Sequence, residues 1–299
     1  MTNIISAIIV TFNPDTEVLK TLIKSLAPQV NHIFIIDNGS SKNTVDFIRA
    51  ILPPNGLLID KGYNSGISEA INTGILEANK HHSSYVVCFD QDSLPAADMI
   101  AQLLSAIKRK IDDGIKVAAV GANYSDIKGD SLSPFVRLVG HKFQRIDCTD
   151  SEIVEVDHLI TSGCLFTMSA LVDIGYMEPK LFIDYVDTEW CLRAINKDYL
   201  LFGIGAAKMQ HDLGDYFVKV FGRTIPVHSP LRNYYLVRNG VWLLLQPWVS
   251  LNWKTMHFIR LIKIYIVLSL LVGKKFENWR MMTKGIVHVI KGKMGRYHK

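Results

Sequence analysis

The 299-residue chain is poor in cysteine, with only Cys88, Cys148, Cys164 and Cys191, and none of them forms a CxxC pair. That excludes a zinc ribbon and a thioredoxin-type redox site. Four scattered thiols in a chain this long suit a reducing compartment better than a disulfide scaffold. There is no Walker-type phosphate loop and no GxGxxG, which argues against a P-loop NTPase and a dinucleotide-dependent oxidoreductase. The GxSxG elbow of serine hydrolases is also missing. No internal repeat or low-complexity tract occurs. No basic stretch precedes the first apolar run, so that run reads as a strand rather than a signal peptide, and a cytoplasmic location is expected. Nor is there a long hydrophobic run. Between Lys263 and Lys274 lie ten uncharged residues, short of the ~20 that a spanning helix needs.

Apolar residues make up 48% and charged residues 20%, an ordinary globular balance that excludes a disordered chain. The length allows one large domain, or one domain with an appendage. The net charge of +5 is unevenly spread: from Lys254 to Lys299 there are 11 Lys or Arg and one acid, Glu277, whereas the rest of the chain carries 22 bases and 27 acids. An acidic body with a basic tail implies a polyanionic partner for the tail.

The first half alternates short β-branched runs with helical spacing. Strands are predicted at 4–10, 32–37, 57–59, 85–89 and 117–121, and helices at 16–29, 44–52, 68–79 and 97–111. This order implies an α/β fold, with a parallel sheet and helices on both faces. Residues 123–155 are polar and less regular. The apolar pattern resumes at 161–174, a helix is expected from Asp187 to Asn196, and 200–204 is a strand candidate. From Leu231 the pattern is helical to the end, broken near Pro247 and Gly273. The expected organisation is a body at 1–245 and a basic amphipathic helical extension at 246–299.

In an open parallel sheet, ligands sit beyond the carboxyl ends of the strands. Polar clusters follow the first four predicted strands: Thr11-Phe12-Asn13-Pro14, Asp37-Asn38-Gly39-Ser40, Asn64-Ser65-Gly66 and Asp90-Gln91-Asp92-Ser93. Each alone is an ordinary turn sequence; four at one sheet edge suggest a site. Asp90 and Asp92 at the end of a buried strand need a partner. A divalent cation bridging to phosphate is one, and a solvated loop leading into the next helix is the alternative. Asp187 opens a helix, where a carboxylate stays ionised; that suits a general base and equally a plain N-cap. His211 follows another strand and reads as a ligand or as a structural histidine. Arg232 and Arg238 lie on a helix from which both can reach an anionic group, or they are ordinary surface arginines.

In this order the motifs resemble the inverting family-two glycosyltransferases of GT-A fold, with the nearest likeness to bacterial rhamnosyltransferases of cell-surface polysaccharide assembly. The resemblance covers residues 4–240. It rests on Val10-Thr11-Phe12-Asn13-Pro14, Asp37-Asn38-Gly39-Ser40, the run Asn64-x-Gly66-Ile67-x-x-Ala70-x-Asn72-x-Gly74, Phe89-Asp90-Gln91-Asp92-Ser93, and Phe182 to Arg193. It implies a Rossmann-like, mostly parallel sheet flanked by helices, with the C-terminal helices as an extension. It also implies a nucleotide-sugar site: Thr11, Phe12, Asn13 and Asp37 with Asn38 at the nucleoside, Asn64 and Gly66 close to the nucleotide, and Asp90, Gln91 and Asp92 as the DxD-type segment. Asp92 and His211 would hold Mg²⁺ or Mn²⁺, and Arg232 and Arg238 would face the diphosphate. Asp187 matches the family's catalytic aspartate, although Val186 stands where the family usually has Glu. Asp184 and Glu189 are rival acids. The QxxRW-type motif of processive synthases is absent, so transfer of a single sugar is implied. The implied donor is dTDP-L-rhamnose, with another UDP- or GDP-sugar, or an inactive nucleotide-sugar-binding scaffold, as alternatives. The implied acceptor is a glycan on a polyprenyl diphosphate.

The tail intersperses Lys254, Arg260, Lys263, Lys274, Lys275, Arg280 and Lys284 with Trp253, Phe258, Tyr265, Phe276 and Trp279. This pattern fits helices lying on an anionic membrane surface, and also a buried helix with a solvated basic edge. Aromatics set among aliphatic runs suit lipid better than nucleic acid, and no nucleic-acid partner is expected. The expected location is therefore cytoplasmic, peripheral to the inner face of the cell membrane.

Overall fold

The computed structural model describes residues 3–126, 132–211, 216–220 and 223–298. Strands β1 (Ile5–Thr11), β2 (His32–Asp37), β3 (Gly56–Asp60) and β4 (Tyr85–Asp90) are joined by helices α1 (Thr16–Leu26), α2 (Lys42–Ala50) and α3 (Ile67–Lys80). They lie parallel in the order β3-β2-β1-β4. Next come β5 (Ser93–Pro95), α4 (Met99–Asp112), β6 (Val117–Asp126), the hairpin β7 (Phe135–Val139) and β8 (Lys142–Ile146), and β9 (Ile153–Val156). Then follow β10 (Cys164–Thr167), α5 (Met168–Ile174), α6 (Val186–Asn196) and β11 (Leu200–His211). A second hairpin, β12 (Tyr216–Val220) and β13 (Arg223–Val227), precedes α7 (Pro230–Leu244), α8 (Leu251–Leu270) and α9 (Lys275–Ile290).

The continuous apolar runs form strands covered on both faces. Ile8, Phe34, Ile36, Val86 and Cys88 point to one side, against Ile71 and Ile75 of α3 and Trp190 of α6. Their sequence neighbours Ile9, Ile33, Ile35, Val87 and Phe89 point to the other, against Leu19 and Leu22 of α1 and Leu103 of α4. The helix starts follow local chemistry: Asp15 accepts from the backbone N–H of Glu17 and Val18 to cap α1. Ser229 caps α7, with Pro230 as its first residue.

The sheet continues β4-β10-β6-β11-β5, with β9 also on β11. β6 and β11 are parallel, whereas β10 runs antiparallel to both β4 and β6, and β5 and β9 run antiparallel to β11. The single apolar stretch read at 161–174 is therefore a short, wholly buried strand leading straight into a helix, whose cap is Thr167. Four buried residues carry no period that separates strand from helix. The polar stretch 123–155 holds the end of β6, the β7–β8 hairpin and β9; residues 127–131 of it lie outside the described residues.

The C-terminal helices are fastened to the body. The Tyr234 hydroxyl of α7 lies 2.8 Å from His288 Nδ1 of α9, and Asn233 Nδ2 donates to Asn278 Oδ1 at 3.1 Å. Beyond α9 the chain returns to the sheet edge: the Gly295 N–H donates to the Lys180 carbonyl at 2.7 Å, and Arg296 Nη1 to the Asn64 carbonyl at 3.4 Å. Among the described residues no helix is long and apolar enough to cross a membrane.

Candidate active site

The loops after β1, β2, β3 and β4 meet at one sheet edge and are laced together. Asp37, fully buried, spends its carboxylate on its own surroundings. Oδ1 accepts from Thr11 Oγ1 (2.9 Å) and Ser40 Oγ (2.5 Å), and Oδ2 from the N–H of Gly39 (3.1 Å) and Ser40 (2.8 Å). Asn38, also buried, accepts from the Ser65 N–H at 2.8 Å and donates to Asn64 Oδ1 at 3.3 Å. Asn64 Oδ1 in turn accepts from the Gly66 N–H at 3.0 Å. Gln91 Oε1 accepts from the Phe12 N–H at 2.8 Å, and Asn13 Oδ1 from the Ser41 N–H at 3.1 Å. Thr11, Asp37 and Asn38 are thus the frame of the cleft, while Phe12 and Asn13 are exposed and Asn64, Asp90, Gln91 and Asp92 half-buried at its surface.

Two glycines permit the close approach of these loops. Gly39 has φ +91°, and a Cβ there would fall 2.7 Å from the Tyr63 carbonyl carbon. Gly66 has φ +90°, and its Cβ would fall 2.6 Å from the Phe182 carbonyl oxygen. Only glycine is unstrained at both.

His211 reaches the DxD-type segment because β5 pairs with the end of β11, Ser93 opposite His211. Its Nδ1 lies 3.0 Å from Ser93 Oγ and 3.4 Å from Asp92 Oδ1, and its Nε2 lies 3.8 Å from Asp90 Oδ2. One ligand atom from each of Asp90, Asp92 and His211 falls within 4.8 Å of the other two. It is the one such cluster among the described residues. Two carboxylates and an imidazole suit a divalent ion such as Mg²⁺ or Mn²⁺. Burial raises the Asp90 carboxyl to about 6, the negative charges of Asp92 and Asp187 adding to the rise while His211 and Arg232 oppose it. That excess of negative charge is what a bound cation would relieve.

Asp187 stands in the first turn of α6, but the N-cap is Tyr185. The plain N-cap reading therefore fails. Its Oδ2 lies 3.4 Å from His158 Nε2, and its Oδ1 accepts from the Thr188 N–H at 2.7 Å. Burial alone would raise its pKa; the charge and hydrogen bond of His158 and the bonds from Thr188 outweigh that and hold it below the usual carboxylate value. The rivals differ. Glu189 is 1% exposed and forked with Arg193 at 2.6 and 2.8 Å. Asp184 accepts from Arg232 Nε at 3.3 Å, its Oδ2 is buried without a hydrogen bond, and burial raises its pKa.

Arg232 is at the site, close enough for its charge to act on Asp90. Arg238 is not, and here the sequence expectation is corrected. Its side chain is fully buried, its guanidinium donates to the carbonyls of Gly295, Lys180 and Leu181, and it lies against the rings of Tyr234 and Tyr235. A guanidinium this engaged and this deeply buried holds the chain end to the body and does not face the site. The sequence reading missed His158 and Ser162. Ser162 Oγ accepts from the Asp90 N–H at 3.1 Å and lies 2.6 Å from Ser93 Oγ. Nothing in sequence spacing marks either residue.

A family model for glycosyl transferase family 2 matches residues 6–175. The chain is 31% identical over 297 residues to the dTDP-rhamnosyl transferase RfbF of Shigella flexneri, covering 99% of this chain and 97% of that protein. It is 25% identical over 194 residues to a poly-beta-1,6-N-acetyl-D-glucosamine synthase of Staphylococcus aureus, covering 63% of this chain and 45% of that one. S. aureus TarS 1–349 in complex with UDP-GlcNAc superimposes with a TM-score of 0.59 at 15% identity, covering 97% of this chain and 83% of that one. GalNAc-T7 with UDP, GalNAc and Mn²⁺ gives 0.57 at 12% identity, covering 97% and 57%. Both are likenesses of fold. The family match over more than half the chain, the full-length relative and the laced loops above the sheet lead to one conclusion: this chain belongs to glycosyl transferase family 2.

Proposed function

We propose that this glycosyltransferase moves L-rhamnose from dTDP-L-rhamnose to a saccharide acceptor carried on a lipid, with inversion at the anomeric carbon. The near-complete alignment with a dTDP-rhamnosyl transferase carries the choice of donor. Phe12, Asn13 and Asn64 form the open face for the nucleoside, on the frame that Thr11, Asp37, Asn38 and Gly66 build. The acceptor hydroxyl gives its proton to Asp187 as its oxygen forms the new bond to the anomeric carbon, and the bond to the nucleoside diphosphate breaks on the opposite face. A carboxylate kept ionised by His158 can accept that proton without first losing one of its own. Asp92, with Asp90 and His211, would hold Mg²⁺ or Mn²⁺, and such a cation supplies neutralising charge to the diphosphate. Arg232 adds positive charge on the same side.

The membrane reading rests on α8 and α9. Phe258, Ile262, Ile266 and Leu270 recur along the exposed side of α8, and Phe276 and Trp279 are exposed on α9. Lys254, Lys263, Lys274, Lys275 and Arg280 stand among them. An exposed apolar stripe edged with bases suits the anionic inner face of a cell membrane. We place the domain boundary at 245/246, with the extension as the membrane-facing part.

The test is turnover of dTDP-rhamnose, UDP-glucose, UDP-galactose and GDP-mannose, each with Mg²⁺, Mn²⁺ or EDTA. Metal-dependent consumption of dTDP-rhamnose above the others is expected. Preference for a UDP- or GDP-sugar would transfer the assignment to that donor. Nucleotide binding without turnover in the presence of acceptor glycan would make the protein a scaffold. Asp92→Ala is expected to remove the metal dependence and weaken dTDP binding.

A further inference from the structure

A cavity of about 680 Å³ opens beside Asp187, and neither the donor loops nor the cation cluster accounts for it. None of Thr11, Asp37, Asn64, Asp90 or Asp92 lines it. It touches the cleft at Asp187 and at Ser162, which binds the Asp90 N–H. Phe135 and Phe143 of the β7–β8 hairpin form one wall and Trp253 of α8 another. Arg145 of β8 and Arg260 of α8 line it too, and both are exposed, as residues at a rim are.

The charges of this cavity are unbalanced in a particular way. Each of its three carboxylates already has a partner of its own. Asp157 accepts from the Leu138 N–H at 2.5 Å, Asp184 from Arg232, and Asp187 from His158 and Thr188. Arg145 and Arg260, by contrast, pair with no carboxylate among the described residues. The buried Tyr185 hydroxyl, also on the cavity wall, has no hydrogen-bond partner. Two free guanidinium forks facing one space recognise phosphate better than any other common group. Helix α8 supplies the rest. Trp253 and Arg260 stand seven positions apart on the face toward the cavity, while Ile262 and Ile266 lie on the opposite, solvent-exposed face.

We propose that this cavity is the acceptor site, and that Arg145 and Arg260 hold the phosphate or diphosphate joining the acceptor saccharide to a lipid chain. The saccharide then lies at Asp187 between the aromatic walls, and the chain leaves over the apolar side of α8. This inference rests on the glycosyl-transfer reading but concerns residues outside the donor site.

The test is calorimetric titration of the full-length protein, with the donor site filled by dTDP and Mg²⁺, using farnesyl diphosphate, farnesol and inorganic pyrophosphate as probes. Farnesyl diphosphate is expected to bind about tenfold or more tighter than either of the others. The R145Q/R260Q variant is expected to lose about tenfold for farnesyl diphosphate and to change less than about twofold for dTDP. Wild-type affinity in that variant would overturn the proposal, as would equal binding of farnesol. Pyrophosphate bound as tightly as farnesyl diphosphate would assign the arginines to a free anion, and a matching loss of dTDP affinity would assign them to the donor; either result overturns it. A failure of the wild-type protein to bind dTDP would sink the donor reading instead. The arginine dependence of farnesyl diphosphate binding would still be read on the unloaded protein.

Discussion

Asp187 combines two properties that oppose one another: it is half-buried, yet its pKa is held low because His158 and Thr188 meet its oxygens. Asp187→Asn is expected to lower transfer by about 10²–10⁴-fold while calorimetry shows dTDP affinity little changed; a collapse of dTDP binding would make the residue structural. His158→Ala removes the charge and the hydrogen bond that favour the ionised form, so the Asp187 pKa rises. A general base works deprotonated, so with Asp187 in that role the acid limb of the kcat/KM profile is expected to move to higher pH. An acid limb in the wild-type position would separate His158 from the base. Asp187 was legible in the sequence from its place in the motif. His158 was not, since a lone histidine in an irregular stretch carries no signal. Nor could spacing separate Asp187 from Glu189; only the fold shows Glu189 buried and forked with Arg193.

At the level of elements, the segment between the β10–α5 unit and α6 is held in an unusual path. Phe182, Asp184 and Tyr185 have φ of 67°, 61° and 64°. Left-handed non-glycine residues cost of order 1–3 kcal/mol each and persist only where their surroundings over-determine them. Here Asn239 of α7, fully buried, donates Nδ2 toward the carbonyls of Leu181, Ile183 and Asp184 at 2.9, 2.6 and 3.0 Å. Asn239→Ala would take this donor from the Ile183 and Asp184 carbonyls at a cost of about 1–3 kcal/mol. The expected result is a Tm lower by roughly 2–4 °C per kcal/mol, with transfer rate lost along with it. Gly66→Ala drives a Cβ into the Phe182 carbonyl and is expected to lower both in the same assays. An unchanged rate in either variant would mean that the loop's path does not position Asp187. Gly66 was visible in the sequence as a motif glycine, whereas nothing in the spacing marks Asn239.

On the scale of the whole molecule, charge and apolar surface are concentrated in the last two helices, which nevertheless pack on the body through α7. Truncating them would strip Trp253, His257, Met281 and Met282 from buried positions. Point changes on the outer face are the sharper test. Ile262→Glu/Ile266→Glu is expected to abolish flotation with phosphatidylglycerol vesicles while leaving hydrolysis of dTDP-rhamnose in solution unchanged. Vesicle binding at the wild-type level would detach this face from the membrane. Arg238, placed by sequence at the diphosphate, belongs to this scale. Arg238→Met takes the side-chain donor from the Gly295 carbonyl and one of the bonds from each of the Lys180 and Leu181 carbonyls, and is expected to lower Tm, with dTDP affinity little changed.

The local pattern of the chain by itself determined the alternation of buried strands and helices, the loops that cluster at one sheet edge, the acidic pair Asp90 and Asp92, and the basic tail. Each of these depends on residues close in sequence, where period, turn chemistry and capping act. The tertiary structure alone decided the rest: β10 inserted antiparallel between β4 and β6, His211 brought to Asp92 by the pairing of β5 with β11, His158 set against Asp187, and Arg238 withdrawn into the core. These depend on pairings between distant segments. A four-residue strand or a single histidine carries too little pattern to announce its partner, and only packing and electrostatic balance in the folded chain choose it.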